Sequence, residues 1–199
     1  MSIRDLLYAC IECGREGGLE PVRDQEICGQ CGTRYCRVEG ARIQVTRPTG
    51  DPEVRHPAEW FDLLEARRPR SIVHIERRER VAVRTAASSK PLRHRGVYLG
   101  QVEEFGAPET GWLTLSPQEL RFEPDGGSAR IWPLAQLSAV QPSSTALQLK
   151  IRHGAVLSLR FLEASPLLWE ERVRNAVQAL YTRTGHGEIQ EFQPRIVCR

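Results

Sequence analysis

Two short segments carry the metal chemistry of this sequence: Cys10-Ile11-Glu12-Cys13-Gly14 and Cys28-Gly29-Gln30-Cys31-Gly32. Two residues between thiolates let both sulfurs bond one ion while the N–H groups of the intervening turn point at them. A glycine after the second cysteine suits the positive φ that such a turn needs. Four thiolates fit tetrahedral zinc at about 2.3 Å, and four protein ligands leave no open position for water. Cys10, Cys13, Cys28 and Cys31 are therefore expected to hold a structural zinc ion rather than a catalytic one. Two disulfides, or four free buried thiols, are the alternative. Cys36 falls in an apparent strand and reads as a small apolar residue, and Cys198 lies in a terminal tail.

Positive charge is the second concentration of chemistry. Arg67, Arg68, Arg70, Arg77, Arg78, Arg80, Arg84, Lys90, Arg93 and Arg95 are opposed in sequence only by Glu76 and Glu79. The whole chain carries a net charge of only +3, so any attraction to phosphates must come from this local clustering. The stretch reads either as a solvated face or as an electrostatic footprint for lipid head groups or nucleic acid. Catalysis has little to build on. His56, His74, His94, His153 and His186 are scattered, with no neighbouring Cys, Ser or carboxylate at the spacing of a dyad. No glycine loop of the phosphate-cradling type occurs. A non-enzymatic protein is expected.

The elements that must position these residues follow from periodicity. A chain of 199 residues with 40% apolar content has room for one ordinary domain and a small one. The run Leu6-Leu7-Tyr8-Ala9 is too short for a signal peptide or a membrane span, which points to the reducing cytoplasm, where closely spaced cysteines bind metal more often than they pair. Residues 1–45 are read as the metal-binding segment. Residues 46–78 form a connector marked by Pro48, Gly50 and Pro52, with a helix over about 57–67 opened by Pro57. Residues 79–184 form the main domain, and 185–199 a tail.

Within the main domain, Val81 and Val83 mark a first strand, Ala86 to Pro91 a loop, and Val97 to Val102 a second strand. Leu113 and Leu115, Leu120 and Phe122, Leu147, Leu149 and Ile151, and Leu157, Leu159 and Phe161 each alternate with polar residues, as half-buried antiparallel strands require. Asp125-Gly126-Gly127 reads as a hairpin turn. The period then changes. Ser165 is placed as an N-cap with Pro166 in the first turn, and Trp169, Val173, Val177 and Leu180 make one helical stripe ending near Thr182. The expected fold is mainly β: a small N-terminal metal ribbon followed by a bent antiparallel barrel capped by a C-terminal helix.

The paired CxxCG knuckles resemble the zinc-ribbon family over about the first forty residues. From about Glu79 to Tyr181 the chain resembles the pleckstrin-homology superfamily, including its GRAM branch. That resemblance rests on strand order, on Gly111-Trp112-Leu113-Thr114-Leu115 through Leu120-Arg121-Phe122, and on Trp169 in the helix Trp-Glu-Glu-Arg-Val-Arg-Asn-Ala-Val. It implies a seven-stranded barrel with the closing helix tryptophan buried. It also implies phosphoinositide or protein binding, with Lys90, Arg93 and Arg95 in Lys90-Pro91-Leu92-Arg93-His94-Arg95 as the lipid- or phosphate-binding residues. The function expected is that of an adaptor joining an unidentified protein partner to an anionic membrane surface. The alternative is a transcription-associated zinc ribbon that binds nucleic acid through the Arg67–Arg95 stretch. The absence of Phe, Tyr or Trp between Arg67 and Arg95 speaks against base stacking and leaves only backbone contacts.

Overall fold

The computed structural model describes residues 3–67, 77–143 and 145–185. Arg68, Arg70, His74, His186, Cys198 and the tail that holds the last two lie outside the described residues. The chain opens with a single helical turn, α1 (Ile3–Leu6). A five-stranded antiparallel meander follows: β1 (Leu19–Val22), β2 (Gln25–Cys28), β3 (Arg34–Val38), β4 (Arg42–Thr46) and β5 (Glu53–Arg55). Ile43 and Val45 alternate with Gln44 on β4 and turn inward, with Tyr35 facing them from β3. The helix α2 (Pro57–Arg67) packs its Trp60 into the same core, where the indole Nε1–H donates to the Ile43 carbonyl at 2.9 Å. The start of α2 is capped by the Glu59 carboxylate, which accepts the His56 N–H at 2.8 Å.

The second sheet is built from β6 (Arg77–His94), β7 (Val97–Phe105), β8 (Glu109–Leu115), β9 (Glu119–Pro124), β10 (Arg130–Pro133), β11 (Leu137–Pro142), β12 (Leu147–Ile151) and β13 (Val156–Phe161). A 3-10 turn over Leu134–Gln136 joins β10 to β11. The order of this sheet is β10-β9-β8-β6-β13-β12-β11, every neighbouring pair antiparallel, and among the described residues β7 pairs only with β6. Seven strands thus curl around one core of Val81, Val83, Leu113, Phe122, Leu149, Leu159 and their neighbours. At Gly111 β8 lies so close to β9 that an added Cβ would sit 2.7 Å from Pro124 Cα, which explains the glycine.

The helix α3 (Pro166–Thr184) closes the barrel. Ser165 caps it, its Oγ accepting the Leu167 N–H at 3.2 Å, and Gly185 ends it in the left-handed region at φ 73°. Trp169 is wholly buried in the same core as Leu149 and Leu159 and stacks on Phe161 with ring centroids 5.0 Å apart. The mainly β architecture with a closing helix is the expected one.

Two local expectations give way. Residues 86–91 are strand, not loop; 97–102 are the expected second strand, part of β7, but it pairs with β6 outside the barrel path. β6, 18 residues long, runs on past the barrel from Ala86, and β7 returns alongside it in register Ala86↔Phe105, Ser88↔Glu104, Lys90↔Val102. Pairing outweighs the weak strand propensity of Ala, Ser and Pro there, and Pro91 is tolerated because β6 has a partner on one side only at that point. The second barrel strand is β8. β10 and β11 carry no apolar alternation in sequence, and each exposes half of its residues.

The two sheets meet through α3. Tyr8, Ala9 and Leu64 are buried against Leu168, with Phe61 and Leu167 packed around them. Ser165 Oγ also donates to the Asp5 carbonyl at 2.9 Å.

Candidate metal centre

The two cysteine segments fold into matching turns. Gly14 N–H donates to the Cys10 carbonyl at 2.8 Å and Cys10 N–H to the Arg15 carbonyl at 3.0 Å; in the second turn Gly32 N–H donates to Cys28 at 2.9 Å and Cys28 N–H to Thr33 at 2.8 Å. Gly14 and Gly32 sit at φ 73° and 75°, where a side chain would be strained. The matching turns point four sulfurs inward. All lie within 4.8 Å of one another, with Cys10–Cys31 at 3.5 Å and Cys13–Cys28 at 3.6 Å. The four are free thiols, not two disulfides. A tetrahedron of sulfurs around a metal at about 2.3 Å has edges of about 3.8 Å, so this donor set can hold a metal ion with little adjustment.

The sulfurs are held by hydrogen bonds that the cysteine spacing does not reveal. Tyr35, wholly buried on β3, donates its hydroxyl to Cys10 Sγ at 3.1 Å and accepts the Ile11 N–H at 3.0 Å. Thr33 Oγ1 lies 3.1 Å from Cys31 Sγ. Burial pushes the Cys13 thiol up to about 12 and raises Cys10 as well. Burial also acts on Cys31, but hydrogen bonds from the Thr33 hydroxyl and N–H outweigh it and bring that thiol down to about 7. Burial raises the Tyr35 phenol too, which keeps it a donor to sulfur. Such a group of sulfurs accumulates negative charge only when a cation compensates it. Cys36 is not part of the cluster; it sits half-buried on β3 with its Sγ 3.8 Å from Gln25 Oε1.

The basic residues are spread more widely than their spacing in sequence implies. Arg93 and Arg95 come together at the tip of the β6–β7 hairpin, where Arg93 donates to the Gly96 carbonyl at 3.2 Å and Arg95 occupies the turn at φ 48°. Lys90 lies further down the strand and is paired with Glu104. Arg78 binds Glu123 at 3.1 Å and Arg80 grips Asp125 with two bonds of 2.7 and 2.8 Å, both guanidiniums lying over Trp112. The Arg80 bond holds the Asp125 carboxyl below its usual range. Arg67 donates to the Ile11 carbonyl at 2.8 Å beside the first cysteine turn. The acidic partners come from β7, from β9 and from the turn after β9, which a count along β6 alone omits.

No protein-family model matches the chain, and no curated protein matches it. Among solved structures, the N-terminal PH domain of the human ARAP2 protein aligns with a TM-score of 0.37 at 10% identity, over 60% of this chain and 90% of that one. Among the described residues no helix is long and apolar enough to cross a membrane.

Proposed function

We propose that this protein is a non-enzymatic adaptor. A zinc ion held by Cys10, Cys13, Cys28 and Cys31 stabilises the N-terminal ribbon, and the barrel contacts anionic lipid head groups through Lys90, Arg93 and Arg95. A protein partner is then brought to that surface, on the cytoplasmic side of a membrane. The observation that carries this reading is the sulfur cluster: four thiols at near-tetrahedral spacing, two of them hydrogen-bonded to Thr33 and Tyr35. All-sulfur tetrahedral sites favour zinc over harder cations, and full protein ligation makes the ion structural. When bound, it supplies cross-linking of the two turns and no reactive position.

The pleckstrin-homology resemblance supports the lipid half, and so does the convergence of Arg93 and Arg95 at one exposed tip. Nucleic acid is served less well, because Arg78 and Arg80 are already tied to carboxylates and the tip arginines alone do not track a phosphate backbone. Two measurements test the reading on the purified full chain. Elemental analysis is expected to find one zinc per chain, and less than a tenth of an equivalent would overturn the metal assignment. Co-sedimentation with vesicles is expected to require acidic lipid and to weaken with salt. Replacing Lys90, Arg93 and Arg95 together by Ala is expected to lower partitioning roughly a hundredfold, at about 1 kcal/mol for each charge.

A further inference from the structure

Past the barrel, β6 and β7 form a two-stranded arm. Pairing of β6 to β8 ends at Val83 and to β13 at Thr85, and from Ala86 to His94 its partner is β7. This arm exposes Leu92, Val97, Tyr98, Leu99 and Val102. Val97 at 62% and Leu99 at 60% are the most exposed large apolar side chains among the described residues. Leu92 pairs with Gly100 and Arg93 with Tyr98, so Leu99 falls at a bulge without a ladder partner, which thrusts an extra side chain outward at the tip.

Charge is sorted along the same arm. Its root carries Glu103 and Glu104, and Glu104 is engaged by Ser88 and Lys90. From Leu92 to Gly100 there is no acid, only Arg93, His94 and Arg95 among the apolar residues. Exposed apolar side chains rimmed by cations match the boundary between anionic head groups and acyl chains. A second copy of the chain is a poorer occupant, since a two-fold contact would set Arg93 and Arg95 against the same arginines.

We propose that the tip of this arm inserts Val97, Tyr98 and Leu99 into the head-group–acyl boundary of an anionic bilayer, with Arg93 and Arg95 holding the head groups. The inference rests on the anionic-surface reading above and adds the part played by the apolar tip. Insertion stops at the interface, because both arm strands have an outer edge whose N–H and C=O groups need water or head groups. Tyr98 suits that depth, with an apolar ring and a polar hydroxyl.

The test uses the zinc-loaded full chain carrying Leu99→Trp, with vesicles of phosphatidylcholine alone or mixed with phosphatidylserine, their acyl chains brominated. The wild-type protein gives the background from its own tryptophans. We expect added quenching of Leu99→Trp on the anionic vesicles only. Val97→Ser combined with Leu99→Ser should weaken vesicle binding about tenfold or more. Arg93→Ala and Arg95→Ala should each weaken it roughly fivefold, a loss that disappears at high salt. Vesicle binding without bromine quenching would overturn insertion and leave the electrostatic surface reading intact. No binding to either vesicle would overturn both. Concentration-dependent dimers abolished by the two serines, without vesicle binding, would assign the tip to a second copy and likewise overturn the proposal.

Discussion

The Tyr8 hydroxyl donates a 2.6 Å hydrogen bond to Oε2 of Glu171, tying the residue two places before the first cluster cysteine to the helix that closes the barrel. On the other side of the same cysteine turn, Glu16 pairs with Arg172 at 2.6 Å. The Ala9–Glu16 bridge and the 2.9 Å bond from Gly17 N–H to the Tyr8 carbonyl hold the two flanks side by side. The first cysteine turn is therefore bracketed by two contacts to α3, with Leu168 buried beneath them. A metal ion held by these cysteines would fix the surface that α3 packs on.

Removing the Tyr8 hydroxyl isolates one of those contacts. Tyr8→Phe keeps the ring, which meets Phe61 edge-on at 6.1 Å, and loses the bond to a carboxylate. We expect a loss of about 1.5–3 kcal/mol, the usual range for a hydrogen bond to a charged group. Leu168→Ala should lose about 2–5 kcal/mol by leaving a cavity in the buried contact. Denaturant midpoints measure both. A Tyr8→Phe protein as stable as its parent would show that the bond contributes nothing.

The cysteine cluster governs the first sheet more than the second. The N-terminal core gathers Ile3, Leu7, Leu19, Ile43, Val45 and Trp60 around the two cysteine turns. Structural zinc contributes on the order of 10 kcal/mol to folds of this size. Cys28→Ser is expected to abolish metal binding and melt the first sheet, while the barrel keeps a cooperative transition of its own at a lower midpoint, having lost the surface that covers Leu168. Calorimetry with metal analysis checks this. A single transition unchanged from the parent would mean that neither a metal nor the complete set of four thiols is needed to hold the first sheet.

The cysteine site was legible because its spacing in sequence is its geometry: each CxxCG is one turn, and two such turns can face each other in few ways. The closing helix was legible for a similar reason, since Ser165, Pro166 and the stripe from Trp169 to Val177 are local signals. Tyr35 and Thr33 escaped notice because their partner atoms, Cys10 Sγ and Cys31 Sγ, become neighbours only when β3 packs beneath the turns. The arm escaped for a different reason. Ala86-Ala87-Ser88-Ser89 has no alternation of its own, and its strand character comes wholly from β7 lying alongside. The charge count failed across strands, where Glu104, Glu123 and Asp125 meet the cations of β6.

Trp169 tests whether the helix is part of the barrel core. Its indole is wholly buried against Phe161, yet Nε1 has no hydrogen-bond partner among the described residues. Trp169→Ala should lose roughly 3–5 kcal/mol as a large-to-small core change. Trp169→Phe should lose less, because it keeps an aromatic ring on Phe161 and removes an unpartnered buried N–H. If both substitutions destabilise equally, ring stacking is not what holds α3 down, and urea titrations of the two variants decide it.

Glu79 supplies a pH dependence whose sign can be worked out. It lines a cleft of about 350 Å³ between the N-terminal segment and the barrel, together with Arg4, Glu16, Arg77, Glu163 and Arg172. Burial raises its pKa above the ordinary 4.5, and Glu163 adds to the rise, while the Arg80 N–H and Arg172 pull the other way. A carboxyl raised in the folded state favours folding while it is protonated, fully so below its unfolded value. That contribution is lost as pH climbs through the folded value, so at neutral pH the ionised Glu79 opposes folding. Glu79→Gln keeps an acceptor for the Arg80 N–H, now at 3.3 Å, and removes the charge. It should therefore raise the melting temperature at pH 7, with the gain shrinking toward zero by about pH 4 as the native carboxyl takes up its proton. Melting curves of the two proteins across that range measure the effect. A fall in stability at pH 7 would mean that Glu79 is held ionised by Arg172 more strongly than burial opposes it.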